Sequence, residues 1–148
     1  MQKVFKTILE FGIYAAIVAG IVWGVPNFLS WKLGTQYPIA AITSGSMWPS
    51  LHTGDLVLIK KVPKEELSLG DIVVWENSQG FTIHRIVKLN ADTLVTKGDA
   101  NFTEDVPVAY DDVVGRNLLW SKNAPVRIPY LGYISVWGAG LKSAYAQK

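Results

Sequence analysis

Cysteine is absent from the 148 residues, and histidine occurs only twice. Without thiols there can be no disulfide, no thiolate nucleophile and no cysteine-ligated cluster. Two imidazoles alone do not furnish a dedicated zinc site, so neither a metal nor another cofactor is expected. The lack of cysteine suits an oxidising exterior compartment without requiring one. Charge is scarce too. Charged residues make up 18% of the chain, and 14 basic against 12 acidic residues leave a formal charge of +2. That balance is no footprint for nucleic acid, which calls for a clustered basic face. Internal repeats and low-complexity tracts are missing, and the length suits one compact domain rather than two.

What the chain does have is apolar surface, 49% of its residues, much of it gathered at one end. Phe11 to Trp31 runs 21 residues without a charge. At about 1.5 Å per residue it covers roughly 30 Å, the thickness of a bilayer's hydrocarbon core. Trp23 and Trp31 suit an interfacial aromatic belt, and Pro26 with Asn27 predicts a kink or an exit from the bilayer in the last third. A cleaved leader would have a shorter apolar region followed by a small-x-small site, and no such site stands before Tyr37. An uncleaved anchor is therefore expected. Lys3 and Lys6 ahead of the span, diluted by Lys32 behind it, place residues 1–10 in the cytoplasm. On this reading 11–31 cross the bilayer, 36–127 form a domain on the exterior face, and 128–148 are an apolar tail. The tail's uncharged run, Ile128 to Leu141, is short for a span, so an interfacial position is expected.

Beyond the anchor the pattern is that of short strands between turns: Ile39–Thr43, Asp55–Lys61, Asp71–Glu76, Phe81–Leu89 and Thr93–Lys97, with one more strand in "DDVVGRNLLWS". Turn signals every eight to twelve residues or so predict an all-β barrel or sandwich rather than alternating α/β units. "NSQG" reads as the hairpin turn between the third and fourth strands.

One segment combines turn chemistry with hydroxyls, "TSGSMWPSLHTGD" from Thr43 to Asp55. Gly45 permits a close approach or a positive φ, and Pro49 fixes its own φ and restricts Trp48. Such a bend presents Ser46, but serine needs a neighbouring base to act as a nucleophile. Read alone, the segment is better taken as a strand-to-turn connection in which Ser44 and Ser46 cap amides. His84 sits in a strand beside Arg85, His52 lies in a turn facing solvent, Asp99 follows a glycine as turn-formers do, and Glu104 and Asp105 can simply solvate a loop. Each has a structural role open to it.

Taken in order, "SGSMWPSL", "GDLVLIKK", "GDIVVW", "IHRIV" and "TKGDAN" resemble the type I signal peptidases. The likeness is to the endoplasmic-reticulum and archaeal branch, which also appears in some Gram-positive bacteria. The single amino-terminal anchor and the late "IPYLGYISVW" match as well. The resemblance implies a mainly β catalytic domain behind one transmembrane helix, and a membrane-bound serine endopeptidase acting on preproteins with signal peptides. It would cut after small residues, using shallow pockets for the first and third side chains before the scissile bond. It implies Ser46 as nucleophile and His84 as general base, where the common bacterial branch has lysine. Asp105 would orient the imidazole, Asp99 would serve the site or support its fold, and the Ser44 hydroxyl with the Ser46 N–H would form the oxyanion hole. Partners would be the lipid bilayer and the translocation machinery.

The sequence also departs from that pattern. Trp48 stands where many members have Glu or a smaller residue, and the short Asn77–Gly80 loop leaves no room for the large insertion of the common bacterial enzymes. Lys60 and Lys61 keep a lysine base open. An autocleaving repressor-type Ser-Lys peptidase and a non-catalytic membrane-anchored β-domain are the alternative readings; the anchor weighs against the first and the joint presence of Ser46, His84 and Asp105 against the second. Ala144-Tyr145-Ala146 in the tail is a small-x-small pattern that chance explains.

Overall fold

A computed structural model describes residues 2–78, 80–121, 124–135 and 137. The amino-terminal helix is longer than the uncharged run that signals it. Helix α1 (Gln2–Ala19) leads through a π-helical stretch, Gly20–Gly24, into α2 (Val25–Leu33). Lys6 and Glu10 are accommodated one turn apart on its surface, 3.9 Å from each other. The wide turn sits just ahead of Pro26, whose ring lacks an N–H and crowds the carbonyl one turn back. Asn27 Nδ2 donates to the Trp23 carbonyl at 2.6 Å, so part of the disturbed ladder is re-satisfied locally and the helix continues. Gly34, at φ 68°, ends it in the left-handed conformation that glycine adopts without penalty. Over residues 3–33 the helix is long and apolar enough to cross a membrane, and its most apolar stretch buries nothing against the rest of the protein.

The remainder is chiefly one antiparallel sheet. Its strands are β1 (Ile39–Ala41), β2 (Leu56–Lys60), β3 (Ile72–Asn77), β4 (Gly80–Leu89), β5 (Thr93–Lys97), β6 (Val108–Ala109) and β7 (Val113–Asn117). They lie in the order β1-β2-β7-β3-β4-β5-β6. Two small strands, β8 (Leu119–Ser121) and β9 (Ala124–Pro125), form a separate ribbon, and β10 (Arg127–Ile128) adds to β2. The fold class is thus a mainly β domain behind one apolar helix, as the turn spacing and the uncharged run together predict. The single strand expected in "DDVVGRNLLWS" is a correction. Tyr110–Asp112 is a 3-10 turn, and the strand breaks at Leu118, whose N–H reaches the Leu58 carbonyl while its own carbonyl takes the Val126 N–H. Two pairing partners in different directions divide one apolar run into two strands.

Strand β3 shows why the sheet has this shape. Ile72, Val73, Val74 and Trp75 are all buried. Alternate residues face opposite sides, so Ile72 and Val74 join Ile42, Met47, Leu51, Val57 and Ile59 in one core. Val73 and Trp75 join Leu67, Ile86, Leu94 and Val108 in the other. Each such fully buried aliphatic side chain contributes about 1.5–3 kcal/mol. The first core is the one beneath the serine-bearing turn. Of the tail, Tyr133–Ser135 begin a helical turn with Ile134 exposed. Residues 138–148, including Ala144-Tyr145-Ala146 and most of the expected interfacial segment, lie outside the described residues.

Candidate active site

The turn carrying Ser46 is fixed from below and from both flanks. Met47 and Leu51 are buried in the core and tied by a Leu51 N–H to Met47 carbonyl bond of 2.9 Å. Ile42 and the 54–55 turn exchange backbone bonds, Ile42 N–H to Asp55 O at 2.9 Å and Gly54 N–H to Ile42 O at 2.8 Å. From the other side the Ala100 N–H donates to the Ser46 carbonyl at 2.8 Å. That approach requires glycine at position 98, because a Cβ there would stand 2.7 Å from the Ser46 carbonyl oxygen and 2.8 Å from Asn101 Nδ2. The "GD" of "TKGDAN" is therefore a close-contact device as well as a turn. The Trp48–Pro49 peptide is cis.

His84 lies on β4 opposite Val73 and is 8% exposed. Its Nε2 is 3.1 Å from Ser46 Oγ, and its Nδ1 is 2.6 Å from Asp105 Oδ2. A carboxylate at Nδ1 keeps the proton there and leaves the Nε2 lone pair for the Ser46 hydroxyl. Asp105 sits in the loop after β5, held by its N–H to the Thr96 carbonyl at 2.8 Å and by the Thr96 hydroxyl, which donates to Oδ2 at 2.6 Å. Ser44 Oγ lies 3.2 Å from Ser46 Oγ. The Ser46 N–H makes no hydrogen bond among the described residues.

Asp99 is brought close but is engaged elsewhere. The Arg85 guanidinium grips it with two bonds, Nε to Oδ1 at 2.8 Å and Nη2 to Oδ2 at 2.7 Å, while also donating to Ser50 Oγ at 3.0 Å and the Gly70 carbonyl at 2.7 Å. Burial opposes ionisation of Asp99. The bonds from Arg85 and Ser50, with the charge of Arg85 and the field of His84, outweigh it and hold the carboxyl below the usual range. The same hydrogen bond to Asp99 raises Arg85 above its ordinary value against burial. Arg85 thus ties the strand next to His84, the serine-bearing segment and the 98–101 loop into one unit. Sequence reading missed this role, although the single "HR" with the opposite charge of a later "GD" was the available signal. It also missed Thr96, which reads as an ordinary β-branched strand residue.

Lys60 and Lys61 are exposed at the end of β2, and neither lines the cavity that holds Ser46. His52 is in a second cluster with Asp55 and Arg127. No group of three or more His, Asp or Glu side chains is placed to hold a metal among the described residues.

The catalytic-type triplet opens on a cavity of about 570 Å³, walled on one side by Ile39, Ala40 and Ala41 and on the other by Thr82, Ile83 and His84. Among the described residues no strand pairs with the outer edge of β1. The edge of Phe81–His84 away from β3 is likewise free, since β5 joins β4 only from Arg85 onwards. Two unpaired backbone edges therefore face the cavity beside a hydroxyl, an imidazole and a carboxylate in hydrogen-bonded series. The arrangement can deprotonate a serine and receive an extended peptide.

A family model described as Peptidase S24-like matches residues 20–113. The signal peptidase complex catalytic subunit SEC11 of Lachancea thermotolerans is 31% identical over 130 residues, covering 74% of this chain and 74% of the relative. SEC11 of Zygosaccharomyces rouxii is 28% identical with the same coverage. Human SEC11C is 32% identical over 114 residues, 70% of this chain, and this chain spans 58% of its length. The stretch matched by the family model contains the Ser46 turn, His84 and Asp105. The chain belongs to the S24-like peptidases and, among them, to the type I signal peptidases of the endoplasmic-reticulum and archaeal branch.

Proposed function

We propose that this protein is a membrane-anchored serine endopeptidase that removes amino-terminal signal peptides from exported preproteins. The observation that carries the reading is the Ser46–His84–Asp105 series at the mouth of an apolar groove with two free strand edges. His84 Nε2 takes the Ser46 proton as Oγ attacks the scissile carbonyl. The oxyanion is received by the Ser46 N–H and the Ser44 hydroxyl, such a donor typically contributing about 2.7–4 kcal/mol. His84 then protonates the leaving amine, and water attacks the acyl-enzyme with the imidazole again as base. Asp105 holds the ring and stabilises the imidazolium. Asp99 acts at one remove, keeping Arg85 and the 98–101 loop in place.

A peptide lying as an added strand between β1 and β4 presents alternate side chains to the groove floor. The aliphatic side chains of Ile39, Ile42, Met47 and Ile83 crowd that floor and favour small residues before the cut. The helix of 31 residues, Lys3–Leu33, extends about 46 Å, enough to cross a bilayer with residues to spare. Lys3 and Lys6 keep its start cytoplasmic and leave residues 36–127 on the exterior face with their substrate. Ile134 and its neighbours in the tail would rest at the interface. Association with further subunits follows the relatives, which are named as catalytic subunits of a signal peptidase complex, and the translocation machinery is the expected neighbour of such an assembly.

The test is incubation of the full chain in lipid vesicles with a synthetic preprotein, followed by mass spectrometry of the new amino terminus. One cut after a small-x-small sequence, lost in Ser46→Ala, is expected; cleavage that survives Ser46→Ala defeats the assignment. Orientation has a clean test because the chain has no cysteine. A single Gln2→Cys should resist an impermeant maleimide applied from the exterior face, and a single Ser121→Cys should react.

A further inference from the structure

We propose that Thr96 is a positioning residue for the reaction, fixing the rotamer and tuning the charge of Asp105 so that Asp105 can hold His84. The proposal rests on the Ser46–His84–Asp105 reading. It is carried by three observations. Thr96 is fully buried on β5, where a hydroxyl must find an acceptor. Its Oγ1 donates at 2.6 Å to Asp105 Oδ2, the very oxygen that lies 2.6 Å from His84 Nδ1. Its carbonyl accepts the Asp105 N–H at 2.8 Å. Residues 96 and 105 are thereby joined through both backbone and side chain, closing the loop that contains Gly98, Asp99 and Asn101.

The geometry answers a physical difficulty. Asp105 belongs to no strand, lies between the exposed Glu104 and Val106, and among the described residues has no cationic partner of the kind Arg85 gives Asp99. A loop carboxylate with one bond to an imidazole could rotate about χ1 and χ2 and release the ring. The second donor, from a rigid strand, removes that freedom. It also draws charge from Oδ2, so the carboxylate orients the imidazole without over-stabilising the imidazolium. Thr96 touches neither the cavity nor a substrate lying in it. Its influence should therefore appear in the chemical step and not in substrate binding.

The experiment uses the full chain in vesicles with a synthetic preprotein bearing a signal peptide. Thr96→Val keeps the shape and removes the donor. It is expected to lower kcat about tenfold with KM unchanged, because a hydrogen bond to a charged group is lost. The acid limb of kcat/KM should move to higher pH, since the less-solvated carboxylate favours the charged ring. Thr96→Ser, which restores the hydroxyl, should recover both. In an Asp105→Asn background Thr96→Val should add little, because its effect passes through that carboxylate. If Thr96→Val does not fold, Thr96→Cys, with only a weak donor, reads the same quantities.

A Thr96→Val enzyme that melts lower but keeps the wild-type kcat and acid limb would reduce Thr96 to packing and overturn the proposal. So would a full additional loss in the Asp105→Asn background. The nucleophile assignment is separated by a readout that needs no turnover. In Ser46→Ala protein, the His84 Nδ1 proton should give a downfield resonance that Thr96→Val broadens or moves. An unmoved resonance defeats the Thr96 role even if the serine assignment stands, and a moved one sustains it even if Ser46 proves not to be the nucleophile.

Discussion

Two histidines stand near the turn that carries Ser46, each within reach of an aspartate, yet their surroundings differ in every respect that matters for proton transfer. His84 has a side chain 10% exposed, with both ring nitrogens in short contacts to Asp105 and Ser46. His52 has a side chain 46% exposed and lies 3.9 Å from Asp55. The Asp55 carboxylate is already committed, taking Arg127 Nη1 at 2.9 Å and the His52 backbone N–H at 2.9 Å. Asp99 is committed in the same way to Arg85. Of these three carboxylates only Asp105 has no arginine among the described residues, and only Asp105 is left to hold an imidazole. A His–Asp pair becomes a candidate base when the carboxylate is not neutralised from another side and the ring is buried enough to keep one orientation.

Mutations break the comparison in a definite order. Ser46→Ala and His84→Ala should each cut kcat/KM by about 10⁴-fold or more, with melting temperatures near that of wild type. Asp105→Asn should follow with a loss of roughly 10²–10⁴-fold, because an amide can stabilise the wrong tautomer. Single-turnover rates with far-ultraviolet spectra check both. Equal losses in His52→Ala and His84→Ala would erase the distinction between the two histidines.

The arginine-held carboxylates should register in stability instead. Arg127→Met leaves Asp55 buried without its cation and should destabilise the fold by about 1–3 kcal/mol while kcat changes little, as chemical denaturation would report. For Asp99 the sign follows from its lowered value in the folded state. A carboxyl depressed on folding adds stability above its unfolded value of about 3.9, and that stability is lost as pH falls through the folded value. Asp99→Asn should therefore lower the midpoint at neutral pH and flatten its decline in acid. A variant as acid-sensitive as wild type would show that Asp99 is not the group responsible. The smallest effect belongs to His52→Ala, where kcat/KM should stay within about twofold, since its ring touches no reacting group and surface changes of this kind are usually minor.

The chain's local pattern carried the apolar helix, because 21 uncharged residues have few soluble uses, and the β-rich character of the rest, because alternation and turn residues act locally. It also pointed to Ser44, Ser46, His84, Asp99 and Asp105, through motifs whose order matches a family. It favoured Asp105 over Asp99 only through the family's spacing, with no physical ground for the choice. Both follow the same strand in the same loop, and the division depends on Arg85 reaching one and Thr96 reaching the other. It likewise chose His84 over His52 only through the family's order and gave no sign of Thr96, since a carboxylate's availability is set by which cation the fold brings to it. The π-helical turn before Pro26, the break at Leu118 and the fit of Gly98 against Ser46 were likewise decided only on packing. Local pattern is written in neighbours along the chain, whereas hydrogen-bond partners 9, 21 and 38 residues apart are chosen by the sheet that folds them together.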